Sequence, residues 1–268
     1  MPAMVLIRGG GDLASGVALR LHRSGLGVVI TELPEPLAVR RTVAFAEAIY
    51  ERQITVEGVT ARAVLDPTDT LKILNSLGKG QIPVLIDPEC TAASSLHPLA
   101  IVDGRMTKRP PERLAHRALL YIGLGPGFDA PSNCHAVIET ARGHTMGRVI
   151  WKGTAVADTA EPEGDIRRLL HSPSEGKLES EARIGQHFEP GQLIASVNGQ
   201  TIAAPFAGVL RGLLRPGTLA QTGMKIGDLD ARDDPQLCEL VSDKSLAAGG
   251  GVLEALLTRP EVRSKLWV

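Results

Sequence analysis

The sequence predicts an α/β fold: a doubly wound parallel sheet over the first half, then a small β barrel and a terminal helix. Three observations predict it. An apolar run, Val5-Leu6-Ile7, ends in a glycine turn, Gly9-Gly10-Gly11, that opens a helical pattern. Strand-like and helix-like patterns then alternate to about residue 124, the mark of a sheet with crossover helices. From about Gly147 the helical period disappears and glycines punctuate short strands, as in a compact barrel or sandwich.

The first half reads in order. Strand candidates are Met4–Ile7, Gly27–Thr31, Thr60–Leu65, Val84–Ile86, Leu99–Val102 and Leu119–Gly123. A first helix follows the glycine turn, carries Leu13, Val17, Leu19 and Leu21, and closes at Ser24-Gly25. Val39 to Tyr50 suggests a second helix. Thr68-Asp69 caps a third, with Leu71, Ile73, Leu74 and Leu77 on its apolar face.

The turn itself carries chemistry. Gly9-x-Gly11-x-x-Ala14 fits the dinucleotide-binding fingerprint, with Ala at its third position, so the first half reads as Rossmann-like. Glycines let the backbone approach a pyrophosphate, and a helix N-terminus presents free N–H groups and partial positive charge. Glu32 ends the next strand, about 20 residues on, where an acid accepts from a ribose hydroxyl and favours NAD over NADP. Asp12 inside the turn repels a phosphate unless it serves the helix N-terminus or meets a metal. Arg8, just before the turn, is placed to offset that charge.

Further candidates lie at strand ends, where open α/β sheets bind ligands. After Glu32 come Pro34, Pro36 and the pair Arg40-Arg41, a bidentate phosphate donor or a solvated first turn. Asp87-Pro88-Glu89-Cys90 places a carboxylate and a thiol at another strand end, although a buried, inert cysteine is the more frequent outcome. Asp103 is a strand-end acid followed by Lys108-Arg109. Gly123-Leu124-Gly125-Pro126-Gly127-Phe128 is a second glycine loop, either an anion-binding nest or a tight turn between domains. Arg142, His144 and Arg148 add positive charge near the domain boundary. The candidate ligand-binding set is therefore Gly9, Gly10, Gly11, Asp12, Ala14, Glu32, Arg40, Gly125, His144 and Arg148.

The expected domains are 1–146, nucleotide-binding; 147–233, the β barrel; and 234–268, a helical segment. The barrel holds a weak internal repeat. Gly185, Gly191, Ile194 and Val197 are echoed by Gly217, Gly223, Ile226 and Leu229. An Ala204-Pro205-x-x-Gly208 segment lies between the copies, and the pattern resembles the barrel-sandwich hybrid of biotinyl and lipoyl domains. Carrier domains of that shape hold a modifiable lysine at the hairpin between repeats. Here the hairpin is Val197-Asn198-Gly199-Gln200, a tight-turn signal, and Lys225 lies away from the tip, so the barrel reads as a docking or stability module. The last helix runs from Gly249 towards Pro260.

Composition excludes several classes. The net charge is -1 and aromatics are 3%, which argues against nucleic acid and anionic membranes as partners. No apolar stretch is long enough to span a bilayer, and Gly and Asp interrupt the first apolar run, unlike a signal peptide. Cys90, Cys134 and Cys238 form no CxxC pair and suit a reducing cytoplasm. No serine-nucleophile elbow, HExxH or Walker A motif appears, and the scattered histidines suggest no metal site.

Taken together, these motifs resemble a known family. They include Gly9 to Gly16, Glu32-x-Pro-x-Pro36 with Arg40-Arg41, Leu85-x-Asp-Pro88 and Gly123 to Phe128. Further matches are Val137-Ile-Glu-Thr140 with Arg142-Gly-His144 and Arg148, Gly208 to Leu213, Ser242-Asp-Lys244, and Gly249 to Ala255. The chain is similar to the selenium-dependent molybdenum hydroxylase system proteins of YqeB type, and distantly to the XdhC/CoxI accessory factors. It departs from the pattern at His135, at Gly104 and across Arg109 to Arg117. The resemblance implies a cytoplasmic accessory protein that matures a xanthine dehydrogenase-like client. Its ligand would be NAD-like or the nucleotide part of a molybdopterin (cytosine) dinucleotide. Two other readings stay open at this point: an NAD-dependent oxidoreductase acting on a small molecule, and a non-catalytic docking protein. Apolar strand edges and a glycine-rich barrel are compatible with a homo-oligomer.

Overall fold

In a computed structural model, residues 3–107, 109–112, 118–157 and 165–267 are described. Lys108 and residues 113–117 of the divergent stretch Arg109 to Arg117 lie outside them. The chain is mixed α/β and groups into two units. Met1–Pro36, Phe45–Thr159 and Val241–Val268 make the first; Leu37–Ala44 and Ala160–Leu240 make the second.

The first unit is built on β1 (Met4–Arg8), α1 (Asp12–Arg23), β2 (Gly27–Glu32), α2 (Ala48–Glu51), β3 (Gln53–Val56) and β4 (Val59–Val64). It continues through α3 (Thr70–Gly78), β5 (Ile82–Ile86), α4 (Ala93–Leu96), β6 (Ala100–Asp103), β7 (Leu120–Leu124), β8 (Asp129–Ala130) and β9 (Ala136–Ile138). Then come β10 (Val149–Ile150) and β11 (Gly153–Thr154). Among the described residues, nine strands form one sheet in the order β10-β9-β7-β6-β1-β2-β5-β4-β3. The inner pairings are parallel: β1 lies between β2, with Arg8 opposite Thr31, and β6, with Arg8 opposite Asp103. The chain runs outward from β1 to β2, and the connection from β5 through α4 crosses back to β6 on the other side of β1, so the strand order reverses beside β1, whose carboxyl end is where such sheets take ligands. Val5, Leu6, Ile7, Val28, Val29 and Ile30 are fully buried, as central parallel strands require.

Each expected strand of the first half appears to within two residues. The sheet is not wholly parallel, however. β3 and β4 form an antiparallel hairpin through Glu57-Gly58, both at positive φ, and β9 and β10 pair antiparallel at the other edge. The single helix expected over Val39 to Tyr50 is corrected. The segment forms two 3₁₀ turns, Arg41–Val43 and Phe45–Glu47, and then the one-turn α2. Ala44 between them is extended, at φ -114° and ψ 115°. The reason is burial: Val39 packs on the core of the second unit, whereas Phe45, Ala46, Ala48 and Ile49 are buried in the first. One amphipathic stripe cannot serve two cores.

The chain closes with α5 (Asp243–Thr258), capped by Ser242, and α6 (Pro260–Arg263). α5 lies directly on α1. A Cβ on Gly16 would sit 2.3 Å from that of Ser245, and one on Gly249 would sit 3.1 Å from the Gly16 carbonyl oxygen. Small residues on both helices permit this approach, and α5 thereby fixes the helix that opens at the glycine turn.

Among the described residues, two four-stranded antiparallel sheets make up the second unit. Its strands are β12 (Leu169–His171), β13 (Gly176–Glu179), β14 (His187–Phe188), β15 (Leu193–Val197), β16 (Gln200–Ala203), β17 (Gly208–Leu213), β18 (Leu219–Ala220) and β19 (Lys225–Asp230). The orders are β12-β19-β17-β14 and β16-β15-β13-β18. Both contribute to one apolar core that includes Leu178, Phe188, Ile194, Val197, Leu210, Ile226 and Leu229. The internal repeat is structural. Gly185 and Gly217 have φ of 91° and 95°, and Gly191 and Gly223 have 82° and 77°. In each copy the short first strand lies in one sheet and the longer second strand in the other. Asn198 and Gly199, both at positive φ, turn the β15–β16 hairpin.

Candidate functional site

The three glycines of the first turn are glycine for different reasons. Gly9 has φ +84°, which a side chain resists, and its N–H donates to the Thr31 carbonyl at 2.7 Å. Gly10 is held by close approach: a Cβ there would sit 2.9 Å from the Ala46 nitrogen. Its carbonyl accepts from the Ala46 N–H at 2.9 Å and the Ser15 hydroxyl at 3.0 Å. Gly11 answers to neither constraint. It has φ -63°, and a Cβ would meet nothing within 4 Å. It is the N-cap of α1, with no side chain capping the helix. The space that a side chain on Gly11 would fill is open, at the N-terminus of α1.

The rest of the fingerprint follows. Ala14 is fully buried, and a Cβ on Gly104 would be 2.8 Å from the Ala14 Cβ. Gly104 therefore makes room for Ala14, and the helix seats closely beside the end of β6. Asp12 is the first residue of α1, in the turn where a carboxylate interacts favourably with the helix dipole. Glu32 ends β2, and its carboxylate reaches back over the turn. One oxygen accepts from the Gly10 N–H at 2.6 Å, the other from the Leu33 N–H at 2.7 Å. Burial raises the Glu32 carboxyl above its ordinary value, against the lowering effect of those two amides. The structure thus brings together Gly9, Gly10, Gly11, Asp12, Ala14 and Glu32.

The other candidates sit elsewhere. Arg40 belongs to the second unit and is buried, with its guanidinium donating to the Leu237 and Leu240 carbonyls at 3.1 and 2.8 Å. Gly125 is a packing glycine: at φ +74°, its Cβ would be 2.6 Å from the Thr140 hydroxyl. The Phe128 ring lies against Gly123, within 2.0 Å of where a Cβ would be. That loop is a close-packed turn between β7 and β8. His144 and Arg148 are exposed, and the Arg148 guanidinium donates to the His144 carbonyl at 3.2 Å. Asp87 caps the segment after β5, accepting from the Thr91 and Ala92 N–H groups at 2.9 Å. Cys90 is buried beside it, and burial pushes its thiol up to about 11.

The sequence reading missed a charge network beside the turn. Arg8, 1% exposed at the end of β1, donates to Asp103 at 3.2 Å, Glu112 at 2.5 Å and the Pro88 carbonyl at 3.3 Å. Asp103, fully buried, also accepts from Arg105 and, at 2.9 Å, from the Tyr121 hydroxyl. Arg105 holds Glu112 as well, at 2.9 Å, and its Cγ lies 3.2 Å from where a Gly9 Cβ would be. A signal existed: Arg8 and Asp103 each end an otherwise apolar inner strand, and a buried charge needs a partner. Arg105, Glu112 and Tyr121 carried no pattern of their own. Among the described residues, no group of three or more His, Cys, Asp or Glu is placed to hold a metal. Within those residues no helix is long and apolar enough to cross a membrane.

Comparison with known proteins gives one informative relative. The chain is 44% identical over 259 residues, 95% of its length, to the uncharacterized protein YqeB of Escherichia coli (strain K12). It spans about half of that relative, 47%. No family model matches the chain. Among solved structures, an aspartoacylase family protein from Mesorhizobium loti aligns at TM-score 0.23 and 11% identity, over 85% of this chain and 52% of that one. The ectoine utilization protein EutE from Ruegeria pomeroyi aligns at 0.27 and 13%, over 85% and 86%.

Proposed function

We propose that this chain is an accessory protein of YqeB type that serves the maturation of a molybdenum hydroxylase in the cytoplasm. Its first unit, Rossmann-like, holds a dinucleotide-like ligand, NAD or the nucleotide part of a molybdopterin dinucleotide. Its second unit, a barrel-sandwich hybrid without a carrier lysine, serves docking to the client enzyme. The pathway rests on the resemblance of the motifs. The ligand class rests on one observation, the open position at Gly11: nothing within 4 Å demands a glycine there, and the space a side chain would fill lies open beside the first amides of α1. A pyrophosphate is the group that such amides receive. Glu32, oriented by the Gly10 and Leu33 amides, keeps lone pairs for a ribose hydroxyl.

Calorimetric titration of the full chain with NAD, NADP, CTP and a molybdopterin dinucleotide tests this. Gly11→Asp is the informative variant. Asp is a favourable N-cap residue, so the helix is kept while a carboxylate fills the anion site. We expect a dinucleotide to bind the native chain and to weaken by about 100-fold or more in G11D, roughly 3 kcal/mol from charge repulsion and lost amide bonds. Failure of every nucleotide to bind, or equal binding by G11D, overturns the reading.

A further inference from the structure

We propose that Arg8 and Arg105 form a phosphoryl-binding subsite beside the glycine turn, occupied in this state by the Glu112 carboxylate as an internal competitor. The charges carry the argument. Asp103 is buried and already takes hydrogen bonds from both arginines and from Tyr121, so it neutralises one positive charge. The second charge is met by Glu112, which binds Arg8 at 2.5 Å and Arg105 at 2.9 Å. A partner of purely structural purpose is expected to be as buried as the 1%-exposed Arg8, because a buried guanidinium demands a permanent anion. Glu112 instead is 51% exposed and stands in neither helix nor strand. Releasing it to water restores its hydration, while an incoming anion takes its bonds.

Position decides which anion. The two arginines lie where β1 and β6 end, and the Arg105 side chain rests on Gly9 of the turn. A forked guanidinium pair suits the several oxygens of a phosphoryl group. Partial burial alone would raise the Glu112 carboxyl, but hydrogen bonds from Arg8, its own amide and Arg105 hold it down to about 2. Glu112 is therefore ionised at neutral pH and competes as an anion. The subsite rests on the dinucleotide reading only for the rest of the ligand beyond its phosphates.

Inorganic pyrophosphate is the probe, titrated calorimetrically into the full chain at low salt. E112Q removes the competing charge and keeps the shape, and E112D withdraws the carboxylate from reach. Each is expected to tighten pyrophosphate by about five- to tenfold, the scale of one charge-assisted bond. Adding R105M to E112Q is expected to abolish the gain. Unchanged or weaker binding in E112Q and E112D, both folded by near-ultraviolet circular dichroism, overturns the proposal, as does no pyrophosphate binding to any form. An equal gain for malonate overturns the phosphoryl assignment. Pyrophosphate gains without nucleotide binding sustain the subsite and remove the dinucleotide reading. Nucleotide binding that is sensitive to G11D but indifferent to Glu112 does the reverse.

Discussion

Gly16→Ala sets two known effects against each other. Gly16 lies inside α1, where Ala is favoured over Gly by about 1 kcal/mol. On propensity alone the variant is more stable. The structure predicts the opposite sign. The new methyl would sit 2.3 Å from the Ser245 Cβ and 2.9 Å from the Ser245 carbonyl carbon. Carbon atoms rest about 3.5–4.0 Å apart, so α1 and α5 must separate by about 1 Å or more. That is resisted further along, because α5 also meets α1 backbone at Gly249, and a Gly251 Cβ would lie 2.1 Å from the Gly147 oxygen. Overpacking of this kind costs about 1–3 kcal/mol beyond any propensity gain. The net loss is about 1–3 kcal/mol, read as a fall in Tm of about 2–12 °C for a chain of this size. Urea midpoints of the native chain, G16A, S245G and the double variant form the assay. The G16A/S245G pair is expected to recover about 1 kcal/mol as coupling, since loss of the Ser245 Cβ removes the nearest contact and leaves the one with the carbonyl carbon. A G16A variant as stable as the native chain, or more so, refutes the helix contact.

Two further predictions follow from buried polar groups. Asp228 is 2% exposed, and although burial raises its pKa, Arg168 and Arg211 outweigh this and hold it below the ordinary aspartate value. A depressed folded pKa contributes stability above the unfolded value near 3.8, lost as pH falls through the folded one, so the urea midpoint should drop below about pH 4. Asp228→Asn should cost about 2–3 kcal/mol at pH 7 and flatten that acid limb, somewhat less than a fully buried pair because Arg168 keeps partial exposure; an unchanged limb contradicts the assignment. Cys90 and Cys134 are nearly inaccessible, and burial lifts both thiols to about 11, so neither should react with a disulfide reagent at pH 8 on a timescale of minutes without denaturant. Rapid labelling of either one in the folded chain defeats this.

What was legible in the sequence is what local chemistry dictates. The turn at Gly9 to Gly11 announces itself because a strand, a left-handed residue and a helix N-terminus must follow one another within a few positions. Asn198-Gly199 and the paired glycines of the repeat are legible for the same reason, since positive φ selects glycine or asparagine at a fixed place. Val39 to Tyr50 was misread because its apolar residues are apportioned between two cores, a fact of tertiary burial with no trace in periodicity. The strand Gln53–Val56 was missed for a related reason. It is an edge strand with little burial, and its pattern of alternate exposure is too short to stand out.

The charge network shows where reading along a chain stops. Arg8 and Asp103 are 95 residues apart, and Arg8 and Glu112 are 104 apart, so their pairing is a property of sheet order alone. Before the fold is known, Arg8 is a cation near Asp12, and offsetting that aspartate is the local explanation. Once β6 is placed beside β1, Arg8 is turned towards Asp103, Glu112 and the Pro88 carbonyl, and Asp12 is served by the helix it begins. The same placement accounts for Gly104, since a Cβ there would lie 2.8 Å from the Ala14 Cβ. The helix of the glycine turn is drawn tightly against the end of β6, and the charges that end β1 and β6, Arg8 and Asp103, are buried against each other there rather than left to solvent.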